Sequence, residues 1–363
     1  MNKISTSIMI VCSIATLCAA KADFNVLKIN GNDKFLDCGN FYLIAKNDPE
    51  QLLGPVLTMY NNSDSVIFAK TYDVNVDGQI ITSMSACKNG TVLITSLNYS
   101  PNGDDARKTI CFNKFGKTQW EIKYPFQGGE AEISPNGKFV IITAGIKFEF
   151  FNAITGKVVA AISFDSNDCY IGTFDSNDNA IIITGGTLNI IDSKSYKNLK
   201  QVKLSNIGSR KFHVGPKVAE DVLSASPEKS LFACVMMDGK EETKNFIIVF
   251  DQNLSVETAQ EYHAPINNLT FISKDRIIVS AGPLKDRSLS ARFSYEIFDV
   301  KQRKVLASIP GRHHKISNAF EDLDGIHFIS ITQNNEREGF NYNVKNNKLL
   351  KTQTIPFKMR AGE

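Results

Sequence analysis

Two sets of short turns recur through this chain at a nearly fixed interval, and they interleave in constant order. The first set comprises Lys88-Asn89-Gly90, Pro135-Asn136-Gly137, Asn177-Asp178-Asn179, Pro227-Glu228-Lys229, Ser273-Lys274-Asp275 and Leu323-Asp324-Gly325, with steps of 41 to 51 residues. The second is an aromatic or apolar residue followed by Asn or Asp: Tyr60-Asn61, Phe112-Asn113, Phe151-Asn152, Ile191-Asp192, Phe250-Asp251, Phe298-Asp299 and Tyr342-Asn343. Between them lie runs such as Thr91-Val92-Leu93-Ile94-Thr95, Phe139-Val140-Ile141-Ile142-Thr143, Ala180-Ile181-Ile182-Ile183-Thr184 and Arg276-Ile277-Ile278-Val279-Ser280. Continuous apolar runs of this length suit strands covered on both faces. No amphipathic helical pattern follows residue 22, so the chain reads as all-β.

Seven outer-turn markers over this length give a period of about 49 residues, the size of one four-stranded antiparallel blade. A sheet of that size cannot bury both faces alone, so each must pack on its neighbours, and radial closure leaves only short edges. The expectation is a seven-bladed β-propeller forming a single domain over 23–357. Its blades fall at about 23–76, 77–127, 128–166, 167–206, 219–263, 264–311 and 312–357. Residues 207–218 read as a connection between blades four and five, and 358–363 as a flexible tail. In the outer turns, Phe115-Gly116-Lys117 and Thr155-Gly156-Lys157 place Gly where a positive φ is wanted.

The segment Ile133-Ser134-Pro135-Asn136-Gly137-Lys138-Phe139, followed by Phe150-Phe151-Asn152-Ala153-Ile154-Thr155-Gly156-Lys157-Val158, resembles a blade of the WD-repeat and YVTN-type propellers. Phe112-Asn113-Lys114-Phe115-Gly116-Lys117-Thr118-Gln119-Trp120 is similar to the PQQ-type repeat, whose outer hairpin ends in Gly-Lys and a Trp. These resemblances imply architecture and not activity, because the fold hosts many functions.

The first 22 residues read as an export signal. Asn2-Lys3 gives a positive start, Ile8 to Leu17 an apolar stretch, and Ala20-Lys21-Ala22 a small-x-small cleavage site ahead of Asp23. The apolar stretch is shorter than the roughly 20 residues a spanning helix needs. The expected location is therefore secreted or periplasmic, with no transmembrane segment after the signal. With 41 basic and 38 acidic side chains the chain is close to neutral, which argues against nucleic acid as a partner. Cys38, Cys87, Cys111, Cys169 and Cys234 follow the signal without metal-site spacing and read as small buried residues.

Catalytic constellations are scarce. No Gly-x-Ser-x-Gly elbow and no His-Glu-x-x-His occurs, and acidic clusters such as Asp104-Asp105 lack the spacing of a calcium loop. The chain has one tryptophan, Trp120, which reads as an inter-blade packing residue, whereas quinoprotein repeats look Trp-rich. No cofactor and no metal are expected. Arg312-His313-His314-Lys315 draws notice for its adjacent imidazoles, but flanking cations disfavour a metal and the segment reads as a solvated loop.

Propeller topology collects two kinds of connection on one face: those joining the fourth strand to the next blade and those joining the second strand to the third. The long or charged stretches of this chain fall there, at 100–108, 210–217, 239–244, 283–292, 312–315 and 334–338. Long loops on a rigid ring are where function usually resides. Arg210, Lys211, His213, Lys217, Lys285, Arg287, Arg292, Arg312, His313, His314 and Lys315 are the candidate binding residues of that face. Their charge points to another protein with an acidic surface. The principal expectation is a non-catalytic, monomeric protein-binding platform. One alternative is a propeller enzyme of lactonase or hydrolase type, with a metal or carboxylates at the central channel and Glu130, Asp168 and Asp221 as its acids. Another is an envelope-assembly factor resembling the PQQ-repeat propellers of outer-membrane biogenesis, which typically have eight blades and a lipid anchor.

Overall fold

The computed structural model describes residues 26–29, 34–38, 40–47, 53–63, 65–73, 80–98, 106–125, 128–144, 147–163, 172–184, 187–204, 212–214, 223–238, 245–262, 264, 266–282, 293–311, 313–321, 325–332, 337–343, 345–346, 348–352 and 355–358. Residues 1–22, read above as an export signal, and residues 359–363 lie outside these. Every regular element of more than one residue among the described residues is a β-strand.

Strand β1 (Val26–Ile29) stands apart from the first blade. Blade one is β2 to β5 (Lys34–Asp37, Phe41–Lys46, Val56–Asn61, Val66–Thr71), and blade two is β6 to β9 (Ile80–Ala86, Val92–Asn98, Ala106–Phe112, Thr118–Pro125). Blade three is β10 to β13 (Gly128–Ile133, Phe139–Ala144, Lys147–Asn152, Val158–Ser163), and blade four is β14 to β17 (Thr173–Phe174, Ala180–Thr184, Thr187–Ile191, Asn198–Lys203). Blade five holds β18 to β22 (Phe212–Val214, Leu223–Ala225, Leu231–Asp238, Asn245–Asp251, Val256–Tyr262). Blade six is β23 to β26 (Ile266–Phe271, Arg276–Ala281, Phe293–Asp299, Lys304–Gly311). Blade seven is β27 to β30 (His313–Glu321, Ile326–Thr332, Arg337–Asn343, Lys348–Thr352), and β31 (Ile355–Lys358) is the last described strand. Within each blade consecutive strands pair antiparallel, except that β18 and β19 both pair with β20.

The first strands of the blades form the ring. β2 touches β6, β6 touches β10, and the series continues through β14, β19, β23 and β27, which returns to β2. Seven sheets thus close on themselves: the protein is a seven-bladed β-propeller.

Its core lies between the sheets. Ile181 and Ile183 of β15 pack with Phe232, Cys234 and Phe250 of blade five. Ile182, between them in the chain, packs the opposite way with Phe148 and Phe150 of blade three. Alternation along a strand sends successive side chains to opposite faces, and here both faces are core. Hence the unbroken apolar runs.

The turns explain the spacing in the sequence. In all seven outer hairpins the Asn or Asp of the marker accepts backbone N–H bonds from the turn: Asn61 from Ser65 at 2.9 Å, Asn113 from Lys117 at 3.0 Å, Asn152 from Ile154 at 3.0 Å and Asp192 from Lys194 at 3.0 Å. Asp251 does so from Ser255 at 2.8 Å, Asp299 from Gln302 at 2.6 Å and Asn343 from Lys345 at 3.0 Å. These side chains stand in for a backbone acceptor and set the turn. In the inner turns, Gly90, Gly137, Asp178, Lys229 and Gly325 all have positive φ.

Four segments differ from the sequence expectation. His313-His314-Lys315 belongs to β27 and not to a solvated loop, with His313 opposite Thr332 and Lys315 opposite Ile331. The register shifts between them, so one extra residue is accommodated as a bulge that keeps the buried Ile316 in the ladder. Phe212–Val214, inside the stretch taken as a connection, is a strand pairing with Met236–Asp238. The long β20 outruns the three residues of β19 and takes a second partner. Lys108, read at the end of a loop, sits in β8 with its ammonium 2.9 Å from Glu121. Finally, β1 and β31 pair as a ribbon outside the first blade, with Val26 opposite Lys358 and Ile29 opposite Ile355, and β31 touches β28 and β29.

Candidate functional site

The longest connections of the ring fall at one end of its strands. The tight turns 87–91, 134–138, 175–179 and 226–230 lie at one end of the strands, with the outer hairpins 113–117 and 153–157. The other end carries 99–105, 164–172, 204–211, 239–244 and 282–292, all longer than the tight turns, beside short connections at 126–127, 145–146, 185–186 and 263–265. Three of the predicted site residues outside blade seven's histidine pair can be placed by their strands: His213 opposite Met237 in β18, Glu130 opposite Thr143 in β10, and Lys315 opposite Ile331 in β27. With His313 and His314, they lie toward the end of the strands away from the tight turns, in blades five, three and seven. Arg210, Lys211, Lys217, Lys285, Arg287, Arg292, Arg312, Asp168 and Asp221 lie outside the described residues.

On that same face neighbouring blades are tied by amides. Asn47 accepts from the Ile81 N–H at 2.9 Å and donates to the Ile81 carbonyl at 3.2 Å, joining blades one and two. Asn245, buried, donates to the Ala264 carbonyl at 3.2 Å. The long connections therefore spring from anchored strand ends.

The tight-turn end holds a charged cluster that sequence reasoning did not find. Thr173 of β14 donates its hydroxyl to Glu132 of β10 at 2.7 Å. Lys229, in the inner turn of blade five, reaches the same Glu132 carboxylate and lies 3.1 Å from the Thr173 hydroxyl. Three blades thus meet in one hydrogen-bonded knot around a half-buried carboxylate. Structurally matching positions elsewhere hold smaller bridges: the Ser85 hydroxyl accepts from Ile133 N–H at 3.1 Å and that of Ser224 from Phe271 N–H at 3.0 Å. Arg276 pairs with Glu321 across blades six and seven and lies 3.9 Å from Asp299. Asp178 accepts from the Asn136 N–H of the preceding turn at 2.8 Å, and its partial burial raises its carboxyl above the ordinary value. The one clue in the sequence was Lys229 standing where other inner turns carry Gly.

These groups engage one another, so the cluster's chemistry is that of a clasp. Burial pushes the thiols of Cys111 and Cys234 up to about 12, which holds them protonated and unreactive. Among the described residues no three His, Cys, Asp or Glu side chains converge as a metal site would require.

No family model matches the chain, and no curated protein matches it. Solved structures do. The β-propeller domain of Cps50 (Swd1) from Myceliophteria thermophila superposes with a TM-score of 0.57 at 11% identity, covering 87% of this chain and 97% of that one. KlHsv2 with its loop 6CD replaced by a Gly-Ser linker gives 0.55 at 10% identity, over 92% and 100% of the two chains. At such identities the likeness is one of fold, and the fold is that of the WD40-like β-propellers.

Proposed function

We propose that this chain is an exported, non-catalytic, monomeric platform that binds another protein through the face carrying its long connections. One observation carries the reading: the topology gathers the long and charged connections at one end of a ring whose other end is closed by tight, side-chain-capped turns. A rigid ring presenting variable loops suits recognition. Arg210, Lys211, Lys217, Lys285, Arg287, Arg292 and Arg312 belong to those connections or their ends in the sequence, which favours an acidic partner surface. Export rests on the leader of residues 1–22, with cleavage after Ala22 leaving β1 intact.

Crosslinking in the native envelope or culture medium, followed by identification of the captured protein, tests the platform. The charge-reversed variant R210E/R287E/R312E should lose that partner while keeping the native β-sheet circular dichroism. Retention of every crosslink by the folded variant would overturn the assignment of the binding face.

A further inference from the structure

The outermost strand of blade four differs from its counterparts. In β5 and β13 the third residue, Phe68 or Ala160, is half-buried between blades. In β17 the third residue is Lys200 and it is exposed, as are Asn198, Leu199, Gln201 and Lys203. Leu199 is 58% exposed. The Lys200 ammonium reaches over to the Asn253 carbonyl in the outer turn of blade five, where Leu254 of that turn fills the core between the blades. β17 pairs with β16 along one edge, and among the described residues no strand pairs with the other.

The segment is also strongly basic. From Asp192 to Leu204 it carries Lys194, Lys197, Lys200 and Lys203 against the single acid Asp192. Asp192 is occupied by its own turn: the Ser195 hydroxyl donates to it at 2.6 Å and, with backbone N–H bonds, holds its carboxyl below the ordinary value. Among the outermost strands of the other blades β30 shares this bias, with Lys348 and Lys351 and no acid, and the rest carry at most one lysine. β13 has no charged residue, and β22 carries Glu257 and Glu261.

We propose that the free edge of β17 takes an extended acidic segment of a partner protein as a fifth strand of blade four. An unpaired edge offers a row of backbone donors and acceptors, and strand addition satisfies them. Lysines on such an edge repel a second copy of the same strand, which protects against self-association, but they attract a carboxylate-bearing one. Leu199 supplies an apolar contact beside Gln201 and Lys203 on one face of the strand, with Lys200 on the other. The site lies on the circumference and is separate from the loop face proposed above, so either can fail alone.

Fluorescence anisotropy with a fluorescein-labelled octapeptide alternating glutamate and valine tests this on the full chain. Binding should be seen, and a peptide alternating lysine and valine should not bind. The variant K197E/K203E should weaken binding at least tenfold, while R210E/R287E/R312E should leave it unchanged. Methylation of alternate backbone nitrogens in the peptide should abolish it. Absence of binding by the glutamate peptide, equal binding by K197E/K203E, or equal binding of the methylated peptide would each overturn the proposal. Circular dichroism checks that the variants are folded.

Discussion

The indole of Trp120, on the outermost strand of blade two, lies flat against the backbone of Gly156 in the outer turn of blade three. A Cβ added at Gly156 would stand 2.5 Å from Trp120 Cγ, and the indole N–H donates to the Ala153 carbonyl of the same turn at 2.7 Å. Phe68 and Gly116 repeat the arrangement between blades one and two, again at 2.5 Å. Between blades three and four the sizes are exchanged: Ala160 occupies the strand position, and the turn residue of positive φ is Tyr196, packed in the same cluster. One inter-blade volume is filled from either side.

Replacing Gly156 by Ala should therefore destabilise the fold by about 2 kcal/mol, from the positive φ together with overpacking. Trp120→Ala should cost about 3–4 kcal/mol through the lost ring and hydrogen bond. The double variant should be less unstable than the sum of the two, since removing the ring relieves the clash. Urea unfolding of the four proteins measures this, and strict additivity would show that the two residues do not share the volume.

Lys229 has a φ of 57° in a turn position that Gly137 and Gly90 fill in other blades. The left-handed backbone costs any side chain roughly 1 kcal/mol, and here the ammonium's contacts with Glu132 and Thr173 offset it. Lys229→Ala retains the strain and loses the knot, with an expected loss of about 1–2 kcal/mol for a half-buried pair. Lys229→Gly loses the knot but also the strain, so it should be closer to wild type. The order Lys, Gly, Ala in melting temperature is the readout, and Ala above Gly would contradict it.

The fold was legible because its turns are chemical. Asn113, Asn152 and Asp251 mark their hairpins in the sequence for the same reason they build them: a side-chain oxygen accepts the turn's N–H groups. The seven-fold repeat and the buried strands follow from such local signals. The knot of Glu132, Thr173 and Lys229 was not legible, because its members are 41 and 56 residues apart in sequence and meet only through ring closure. The β-ribbon of β1 with β31 was hidden likewise, since pairing of chain ends leaves no local pattern. His313 was misread because polar residues at a strand start resemble a loop until a bulge and the ladder to Thr332 are seen. The candidate loop face was inferred from topology alone, and the blade-four edge was overlooked because a lysine-rich strand reads as ordinary solvated surface.

The buried thiols give a pH dependence of defined sign. The thiols of Cys111 and Cys234 are pushed from 9.0 up to about 12 by desolvation, so the native state keeps its protons where the unfolded chain would release them. Their contribution is full below pH 9 and is lost progressively as pH rises through the interval to 12. Cys234→Ala should flatten that alkaline decline in urea titrations, even though the smaller side chain lowers stability at pH 7. In native protein at pH 8, alkylation of Cys234 by iodoacetamide should be far slower than in urea; equal rates would show that the site is open.

The terminal ribbon predicts a shared dependence of the two chain ends. β1 pairs with β31 over four residues, and β31 in turn touches β28 and β29 of blade seven. Deleting residues 353–363 removes the partner of β1, and deleting 23–29 removes the partner of β31; either leaves an open edge and unties the ends of the ring. Each deletion should lower the melting temperature by several degrees, and both together should do little more than one alone, because the clasp is lost once. Scanning calorimetry of the three truncated chains beside the undeleted one is the measurement. Independent, additive losses would mean that the ends are held by separate contacts and that the ribbon does not clasp the ring.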